Sequence, residues 1–177
     1  MVLDCRTVVQ PTRLVNEAIG AGAPEETVEF QYRYTVHATP EELWAFVSDI
    51  PTVGMCIPGA SDVAPEPDGS YVGTVKVRVG PVSLTLKGKL TVDEIDAEAH
   101  RIALRGQGAD ARVPGSVQVR IRMHIEPVDS ETSVLAVDSE ANILGKLGEF
   151  GQSIIRRKAD GIMREFGQNL IDRVQQA

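Results

Sequence analysis

The strongest constraint on the fold is a change of hydrophobic period near the end of the chain. From Thr27 to about Ile143, most apolar residues alternate with polar ones, which is the pattern of β-strands. From about Leu147, the apolar residues recur at three, four or eight positions, as they do along one face of an α-helix. The sequence therefore predicts consecutive strands followed by one long amphipathic helix.

The period-two region divides into several strands. The clearest is Thr27–Val36, where Val28, Phe30, Tyr32 and Tyr34 alternate with polar or charged neighbours. Further strands are predicted over residues 71–79, 82–92, roughly 100–106, 117–125 and 133–143. Each has one apolar and one polar side, so the pattern is typical of an antiparallel sheet with one face in the core and one in water.

A short helix is predicted between the first two strands, from about Pro40 to Asp49. Thr39 can cap its N-terminus, Pro40 suits the first helical position and Glu42 completes a capping box. Prolines and a glycine follow over residues 51–59 and break the chain again.

These elements predict an α+β fold. The final helix, about 30 residues long, would extend roughly 45 Å and could cross a whole sheet. It has only the apolar face of a curved antiparallel sheet to pack against, and such an arrangement leaves a hydrophobic cavity between helix and sheet. The length of 177 residues fits one domain, over residues 27–177. Residues 1–26, which contain two prolines and two glycines, are predicted to be an N-terminal extension, flexible or docked on the surface.

Composition excludes several classes of partner. Lys and Arg number 18 against 25 Asp and Glu, a net charge of −7, so nucleic acid is not expected as a partner. No window approaches 18 uninterrupted apolar residues, and no apolar run follows Arg6, so neither a membrane span nor a secretory signal is expected. Cys5 and Cys56 are interpreted as free thiols in a reducing compartment, and the expected location is cytoplasmic.

The sequence contains no recognisable catalytic motif. The histidines lie on separate predicted elements without cysteines at ligand spacing, so no metal site is expected, and no cofactor is expected either. Cys56 lies in an apolar stretch, which favours a buried, unreactive thiol. No catalytic residue is assigned. A cavity enzyme would need an internal acid or base, for which Tyr71 and Asp138 are the only candidates.

Two features near the start of the last helix have alternative interpretations. Gly145, Gly148 and Gly151 fall at every third position, and indicate either close backbone approach to the sheet or a helix start that can move. The basic run Arg156–Lys158 is either a solvated face or a docking patch for an acidic partner, formed by Arg156, Arg157 and Lys158.

Several motifs in this order resemble the carbon monoxide dehydrogenase G-subunit (CoxG) family, within the START-like or SRPBCC group of helix-grip folds. The matching pieces are Pro40–Asp49 (PEELWAFVSD), Cys56–Gly59 (CIPG), Val77–Val82 (VRVGPV), the Gly106-x-Gly108 region and Leu144–Gly151 (LGKLGEFG). The similarity spans about residues 28–174, and the motifs are specific in combination rather than singly.

The resemblance implies a non-catalytic accessory protein of a molybdenum hydroxylase of the carbon monoxide dehydrogenase type. Proposed roles in the family are recruiting the enzyme to the membrane and handling a lipophilic molecule such as a quinone. The partners expected from the resemblance are therefore a quinone or lipid and the molybdenum hydroxylase subunits. Because the chain ends directly after the predicted helix, we expect peripheral contact with the inner face of the cell membrane at most.

Two alternatives remain open at this stage. The wider group includes polyketide cyclases, so an enzyme on the same fold is one. A ligand-free assembly factor that contacts its client through the basic run is the other. For the binding function, the predicted cavity lining comprises Met55, Ile57, Val77, Leu86, Leu104, Val119, Ile121, Met123, Leu147, Phe150 and Ile154.

Overall fold

The computed structural model describes residues 25–177. Their elements are β1 (Glu25–Val36), α1 (Pro40–Val47), α2 (Ile50–Gly54), β2 (Ala60–Pro65), β3 (Tyr71–Val79), β4 (Val82–Asp96), β5 (Arg101–Asp110), β6 (Val113–Pro127), β7 (Ser133–Gly145), a 3-10 helix (Lys146–Phe150) and α3 (Gln152–Gln176). The predicted extension over residues 1–26 lies outside the described residues except for Glu25 and Glu26, which open β1.

The strands form one antiparallel sheet in the order β1-β7-β6-β5-β4-β3-β2. Strands β2 to β7 follow one another as neighbours, and β1 pairs with β7 along its whole length, from Glu25 opposite Leu144 to Val36 opposite Ser133. The sheet is open, with β1 and β2 at its edges. The predicted α+β class, with a sheet that holds a long C-terminal helix, is confirmed.

Helix α3 contacts both β1 and β3, which have β7, β6, β5 and β4 between them. Strands lie about 4.8 Å apart and a helix is about 10–12 Å across, so a sheet that curves around the helix accounts for both contacts. Register shifts between Val92 and Glu94 and between Gly108 and Asp110 mark β-bulges in the middle of the sheet. Bulges bend a strand and increase its twist, which favours this curvature.

The start of α1 matches its sequence signal. Thr39 caps the helix, its hydroxyl accepts from the Glu42 backbone N–H, and the Glu42 carboxylate accepts from the Thr39 N–H. The following segment is more ordered than its prolines suggested. Pro51 occupies the first turn of α2, where its missing N–H does no harm, and β2 adds an edge strand that was not predicted.

The C-terminal helix begins later than the spacing of its apolar residues predicted. It starts at Gln152 instead of about Leu147 and contains 25 residues. Gly145 and Gly151, with φ of 70° and 81°, bracket the 3-10 helix. A glycine adopts a positive φ readily, so these residues redirect the chain between β7 and α3 and do not weaken a helix interior.

The core lies between α3 and the concave side of the sheet. Phe30, Tyr32 and Tyr34 form a stacked row along β1, and Phe166 of α3 meets Tyr34 edge-on at 5.8 Å between ring centroids. The Tyr34 hydroxyl donates to the Met163 carbonyl at 2.7 Å. This row fixes one side of α3 tightly against β1.

Candidate ligand cavity

An apolar cavity lies between α3 and the remaining strands. It has two adjoining lobes, of about 250 Å³ and about 290 Å³. The lobes share a wall formed by Val77, Leu86, Val117, Val119, Ile121 and Ile162.

The first lobe lies beneath the N-terminal half of α3. In addition to the shared wall, it is lined by Phe30, Val79, Leu84, Val137, Ser139, Ala141, Ile143, Leu147, Phe150, Ile155, Lys158, Ala159 and Met163. The 3-10 helix thus closes one end of this lobe through Leu147 and Phe150.

The second lobe lies between the sheet and the segment from α2 to β2. It adds Ile50, Gly54, Ile57, Ala60, Val63, Tyr71 and Leu90, together with the backbone around several glycines of β3, β4 and β5. Gly73 pairs with Gly88, and Gly88 pairs with Gly108. Residues at these three strand positions point to the concave face of the sheet. Because glycine has no side chain, the three paired glycines leave part of this face bare.

These glycines have different packing requirements. A Cβ on Gly88 would lie 2.6 Å from the Gln107 carbonyl oxygen, so a side chain there is excluded by backbone. A Cβ on Gly108 would meet its nearest neighbour at 3.5 Å, an ordinary contact. Gly88 therefore allows close approach of two strands, while Gly108 leaves space that the cavity occupies.

The structure brings most of the predicted lining together. Ile57, Val77, Leu86, Val119, Ile121, Leu147 and Phe150 all border the cavity. Strand alternation placed the sheet residues correctly on the concave face, because each residue two positions along a strand returns to the same side. Their role in ligand binding remains a prediction.

Four predicted lining residues lie elsewhere. Leu104 and Met123 face the same side of the sheet, but they are buried in the packed core towards the end of β6 that α1 covers. Met55 ends α2 and is 37% exposed. Ile154 is 45% exposed, and its neighbour Ile155 lines the cavity instead.

The misplacement of Ile154 has a simple geometric cause. Counting back from the buried Phe166 at about 100° per residue, Ile155 falls about 20° from it and Ile154 about 120° away. The sequence prediction had extended the helical phase from Phe150, but Gly151 breaks the helix between the two. The rotation of α3 about its own axis is therefore determined by the packing of its C-terminal half.

The same geometry separates the basic run. Arg156 lies over the Phe30 ring, 5.9 Å from the centroid, on the β1 side of α3. Arg157 is exposed on the outer side, and Lys158 borders the first lobe. Consecutive residues on a helix point about 100° apart, so the three cannot form one patch.

Ser139 and Lys158 also border the first lobe, and neither was among the predicted lining residues. Ser139 lies opposite Phe30 and Ile121 in the sheet register, so all three share the concave face. Alternation along β7 places Ser139 on the concave face, so this position could have been predicted from the sequence. The position of Lys158 could not be predicted without the true start of α3.

The buried tyrosine–carboxylate pair in the described chain lies outside the cavity. The Tyr32 hydroxyl donates to the Asp160 carboxylate at 2.5 Å, on the β1 flank of α3. Burial, and then the Asp160 carboxylate, raise the pKa of Tyr32 above its usual range. Of the two sequence candidates for acid or base, Tyr71 borders the second lobe and Asp138 is exposed on β7. Among residues 25–177, no Asp, Glu or His borders either lobe.

The Cys56–Gly59 motif has a structural role. Asn169 of α3 donates to the Cys56 carbonyl at 2.9 Å, and the Gly59 carbonyl accepts from the Lys76 N–H at 2.9 Å. A Cβ on Gly59 would meet the Lys76 carbonyl oxygen at 2.2 Å. The Cys56 side chain is fully buried, as predicted, and burial raises the pKa of its thiol. The motif thus joins α2 to both α3 and β3 beside the second lobe.

Neither a metal site nor a membrane span is found in the part of the chain that the structure describes. Within residues 25–177, no three His, Cys, Asp or Glu side chains come together as metal ligands. None of the described helices combines the length and apolar character that crossing a bilayer requires.

An open antiparallel sheet that holds one long helix over an apolar cavity defines a START-like protein. A START superfamily protein from Mycobacterium smegmatis has this fold, at a TM-score of 0.60 and 17% identity over 84% of this chain and 97% of that one. The family model for the carbon monoxide dehydrogenase G-subunit (CoxG) matches residues 33–175, and the chain belongs to this family.

Other solved structures share the fold at low identity. A conserved protein from Geobacillus kaustophilus gives a TM-score of 0.72 at 19% identity, covering 84% of this chain and 96% of that one. The ZhuI aromatase/cyclase from Streptomyces sp. R1128 gives 0.63 at 13% identity, covering 85% and 94%. A search of curated protein sequences gave no significant match.

Proposed function

We propose that this chain is a non-catalytic accessory protein of a molybdenum hydroxylase of the carbon monoxide dehydrogenase type. In this proposal it binds an apolar molecule such as a quinone or lipid in the cavity, and it delivers that molecule to the enzyme, recruits the enzyme to the membrane, or does both. Membership of the CoxG family supports the association with carbon monoxide dehydrogenase. The cavity supports the binding of an apolar ligand.

The apolar lining of the cavity carries the ligand proposal. The first lobe is partly open to solvent, so without a ligand its aliphatic and aromatic walls would be in contact with water. Apolar surface left in water is unfavourable by roughly 25 cal/mol per Å². A contiguous apolar surface that a protein leaves uncovered typically marks a binding site. The cavity is therefore better explained by an apolar occupant than by imperfect packing.

The lining also favours binding over catalysis. The walls of the first lobe consist almost entirely of aliphatic and aromatic side chains, and the pair Tyr32–Asp160 lies on the other flank of α3. A cyclase needs positioned acids or bases beside its substrate. The aromatase/cyclase among the structural neighbours shows the same fold, and a fold alone does not carry an activity.

A ligand-free assembly factor remains the main competing function. Its predicted contact surface was the basic run, but Arg156, Arg157 and Lys158 point in three directions around α3. This divergence favours the ligand-binding proposal, since a docking patch needs its charges on one surface.

Native mass spectrometry of the protein purified from its own host tests the proposal directly. We expect a mass excess equal to one apolar molecule per chain, released by organic extraction and identified as an isoprenoid quinone or another lipid. A protein that is empty when purified, and takes up no quinone when it is offered, would contradict the proposal and favour an assembly factor.

A matched pair of tryptophan variants locates the binding site. Ile121 lies on the wall shared by both lobes, so the larger side chain of Ile121→Trp should obstruct the junction between them and lower the ligand content several-fold. Arg122, the next residue, is exposed on the opposite face, so Arg122→Trp should leave the ligand content unchanged. Equal ligand content in the two folded variants would place the ligand outside this cavity.

A further inference from the structure

Positive charge is concentrated on four neighbouring strands of an otherwise acidic chain. Residues 71–92 and 101–125, which form most of β3 to β6, carry nine Lys and Arg against one Asp. The rest of the chain carries nine Lys and Arg against 24 Asp and Glu, so the net charge of −7 is composed of +8 here and −15 elsewhere. The one Asp, Asp110, is buried, whereas all nine basic residues are exposed. Along the strands they alternate with inward residues, so the outer face of the sheet is basic.

Ion pairs offset this charge unevenly. Five of the nine basic residues form ion pairs, which are Lys89–Asp68, Arg101–Asp96, Arg105–Asp93, Arg112–Asp110 and Arg120–Glu140. A sixth, Arg122, lies opposite Asp138 in the sheet register. The remaining three, Lys76, Arg78 and Lys87, form no ion pair with any carboxylate of residues 25–177. The positive charge that no carboxylate offsets therefore lies on the β3–β4 hairpin.

These three residues lie together on the outer face of that hairpin. Lys76 and Arg78 are on the same side of β3, and Arg78 lies opposite Ser83 of β4 in the register. Lys87 is on the same side of β4 as Ser83, since the two are an even number of positions apart. Arg112 reaches this surface from the tip of the β5–β6 hairpin, because its guanidinium donates to the Ser83 carbonyl at 2.9 Å. The resulting hairpin patch comprises Lys76, Arg78, Lys87 and Arg112.

The side chains around the hairpin patch indicate what kind of surface it fits. The uncharged outward residues of these strands are small or polar: Val72, Thr74, Ser83, Thr85, Thr91, Ala103, Gln107, Ala109, Ser116, Gln118 and His124. The adjoining strand β2 contains one acidic residue, Asp62, which accepts a hydrogen bond from the Ser61 hydroxyl. Protein interfaces use aromatic and other large anchors at their centre and are depleted in lysine. An anionic lipid surface requires only basic side chains close to its phosphates.

We propose that the hairpin patch docks this protein on an anionic lipid bilayer. Its ammonium and guanidinium groups donate hydrogen bonds to the lipid phosphates, which are among the stronger hydrogen bonds because both partners are charged. The acidic remainder of the molecule faces away from the bilayer, so a net charge of −7 does not prevent contact. Val77 and Leu86, on the inner face of the same hairpin, line both lobes of the cavity. Docking thus brings a cavity wall close to the lipid, and in this purpose the inference rests on the proposed function.

Flotation with lipid vesicles tests the docking. The vesicles are pure POPC, or POPC with about 30% POPG as the anionic lipid, in about 50 mM or about 300 mM NaCl. The patch variant carries Lys76→Gln, Arg78→Gln and Lys87→Gln, and retains Arg112 because that residue also holds Asp110. The control variant carries three glutamines at exposed positions of α3: Arg157→Gln, Arg164→Gln and Arg173→Gln. Each variant loses three positive charges, from −7 to −10, so the two differ only in where the charge is lost.

We expect the wild type to float with the POPG vesicles at low salt and to stay behind with pure POPC. The higher salt should release it, because counterions screen exposed charges over a shorter distance. The patch variant should partition onto the POPG vesicles about tenfold less than the wild type or weaker still. The control variant should stay within about twofold of the wild type. A thermal melt of each variant establishes that it is folded.

Two results overturn the inference. Equal partitioning of the patch and control variants would show that the hairpin patch is not the docking surface. A wild type that ignores POPG vesicles at low salt would exclude the bilayer and leave an acidic protein surface as the occupant. Neither result depends on ligand content. A protein that carries its apolar ligand but binds no vesicle contradicts the docking alone, and an empty protein that binds vesicles through the hairpin patch contradicts the ligand proposal alone.

Discussion

At the scale of single residues, a buried carboxylate holds the tip of the β5–β6 hairpin. Asp110 is 5% exposed and accepts the Thr85 N–H at 2.6 Å and the Arg112 N–H at 2.7 Å. The Arg112 guanidinium, together with these two N–H groups, holds the pKa of Asp110 well below its usual range. Asp110 occupies an inward position beside the bulge that follows Gly108.

This environment predicts a pH-dependent loss of stability. The pKa of Asp110 is lower in the folded state than in the unfolded state, so its contribution is fully present above about pH 4 and is lost as the pH falls further. Asp110→Asn should therefore lower the free energy of unfolding at pH 7, and the difference from wild type should shrink below pH 4. Urea unfolding at pH 7, 5 and 3 measures it.

The control for this experiment is Glu131→Gln, on the exposed loop between β6 and β7. We expect it to follow the wild type at every pH. A wild-type advantage over Asp110→Asn that is the same at pH 7 and pH 3 would show that the carboxylate charge is not what stabilises the hairpin.

At the scale of elements, a glycine determines how closely α3 approaches β1. A Cβ on Gly167 would lie 2.2 Å from the Tyr34 ring, so only a glycine allows the helix to pack here. Gly161 lies on the same helix, and a Cβ there would meet nothing within 4 Å. Of the two glycines of α3, one is therefore required by close packing and the other is not. Their neighbours in the sequence do not show which is which.

Alanine at these two positions should have opposite effects. Gly167→Ala should destabilise the protein by about 1–3 kcal/mol, because the added methyl group overpacks the contact with Tyr34. Gly161→Ala should stabilise it by up to about 1 kcal/mol, because alanine is the better helix former. Chemical denaturation of both variants measures the difference. Equal effects would mean that α3 can shift away from β1 without loss.

At the scale of the whole molecule, the cavity couples stability to ligand. A ligand that binds only the folded state at 100 times its Kd adds about 2.7 kcal/mol to the free energy of unfolding. For a domain of this size, 1 kcal/mol corresponds to about 2–4 °C in Tm. Removing the proposed ligand with a hydrophobic resin should therefore lower the Tm by roughly 5–10 °C, and adding decylubiquinone should restore it.

The same measurement on Ile121→Trp provides the contrast. The indole is expected to obstruct the junction of the two lobes and exclude the ligand, so neither the resin nor decylubiquinone should move its Tm by more than about 1–2 °C, well below the roughly 5–10 °C expected of the wild type. A wild-type Tm unchanged by extraction, in protein that carried ligand beforehand, would show that binding is not linked to folding.

Much of this architecture follows from short-range patterns. The alternation Val28, Phe30, Tyr32 and Tyr34 defined both the existence of β1 and its buried face. The capping box at Thr39 located the start of α1. Period-two and capping signals can be read locally, since each depends only on residues a few positions apart. The change of period likewise determined that the strands come first and the long helix last.

Other features depended on contacts between distant parts of the chain. Phe166 and Gly167 fix the rotation of α3 against Tyr34, and this rotation places Ile155 and Lys158 on the cavity while it exposes Ile154. Whether an inward residue borders space or packed core depends on what covers it, which separates Ile121 from Met123 on one strand.

The sequence by itself therefore determined the fold class, the order of all the strands but β2 and the two faces of the sheet, because local periodicity dictates them. Only the tertiary structure decided the phase of α3, the boundaries of the cavity and which residues of α3 border it. The physical reason is that these depend on how a helix and a sheet pack, and packing joins residues that local periodicity does not relate.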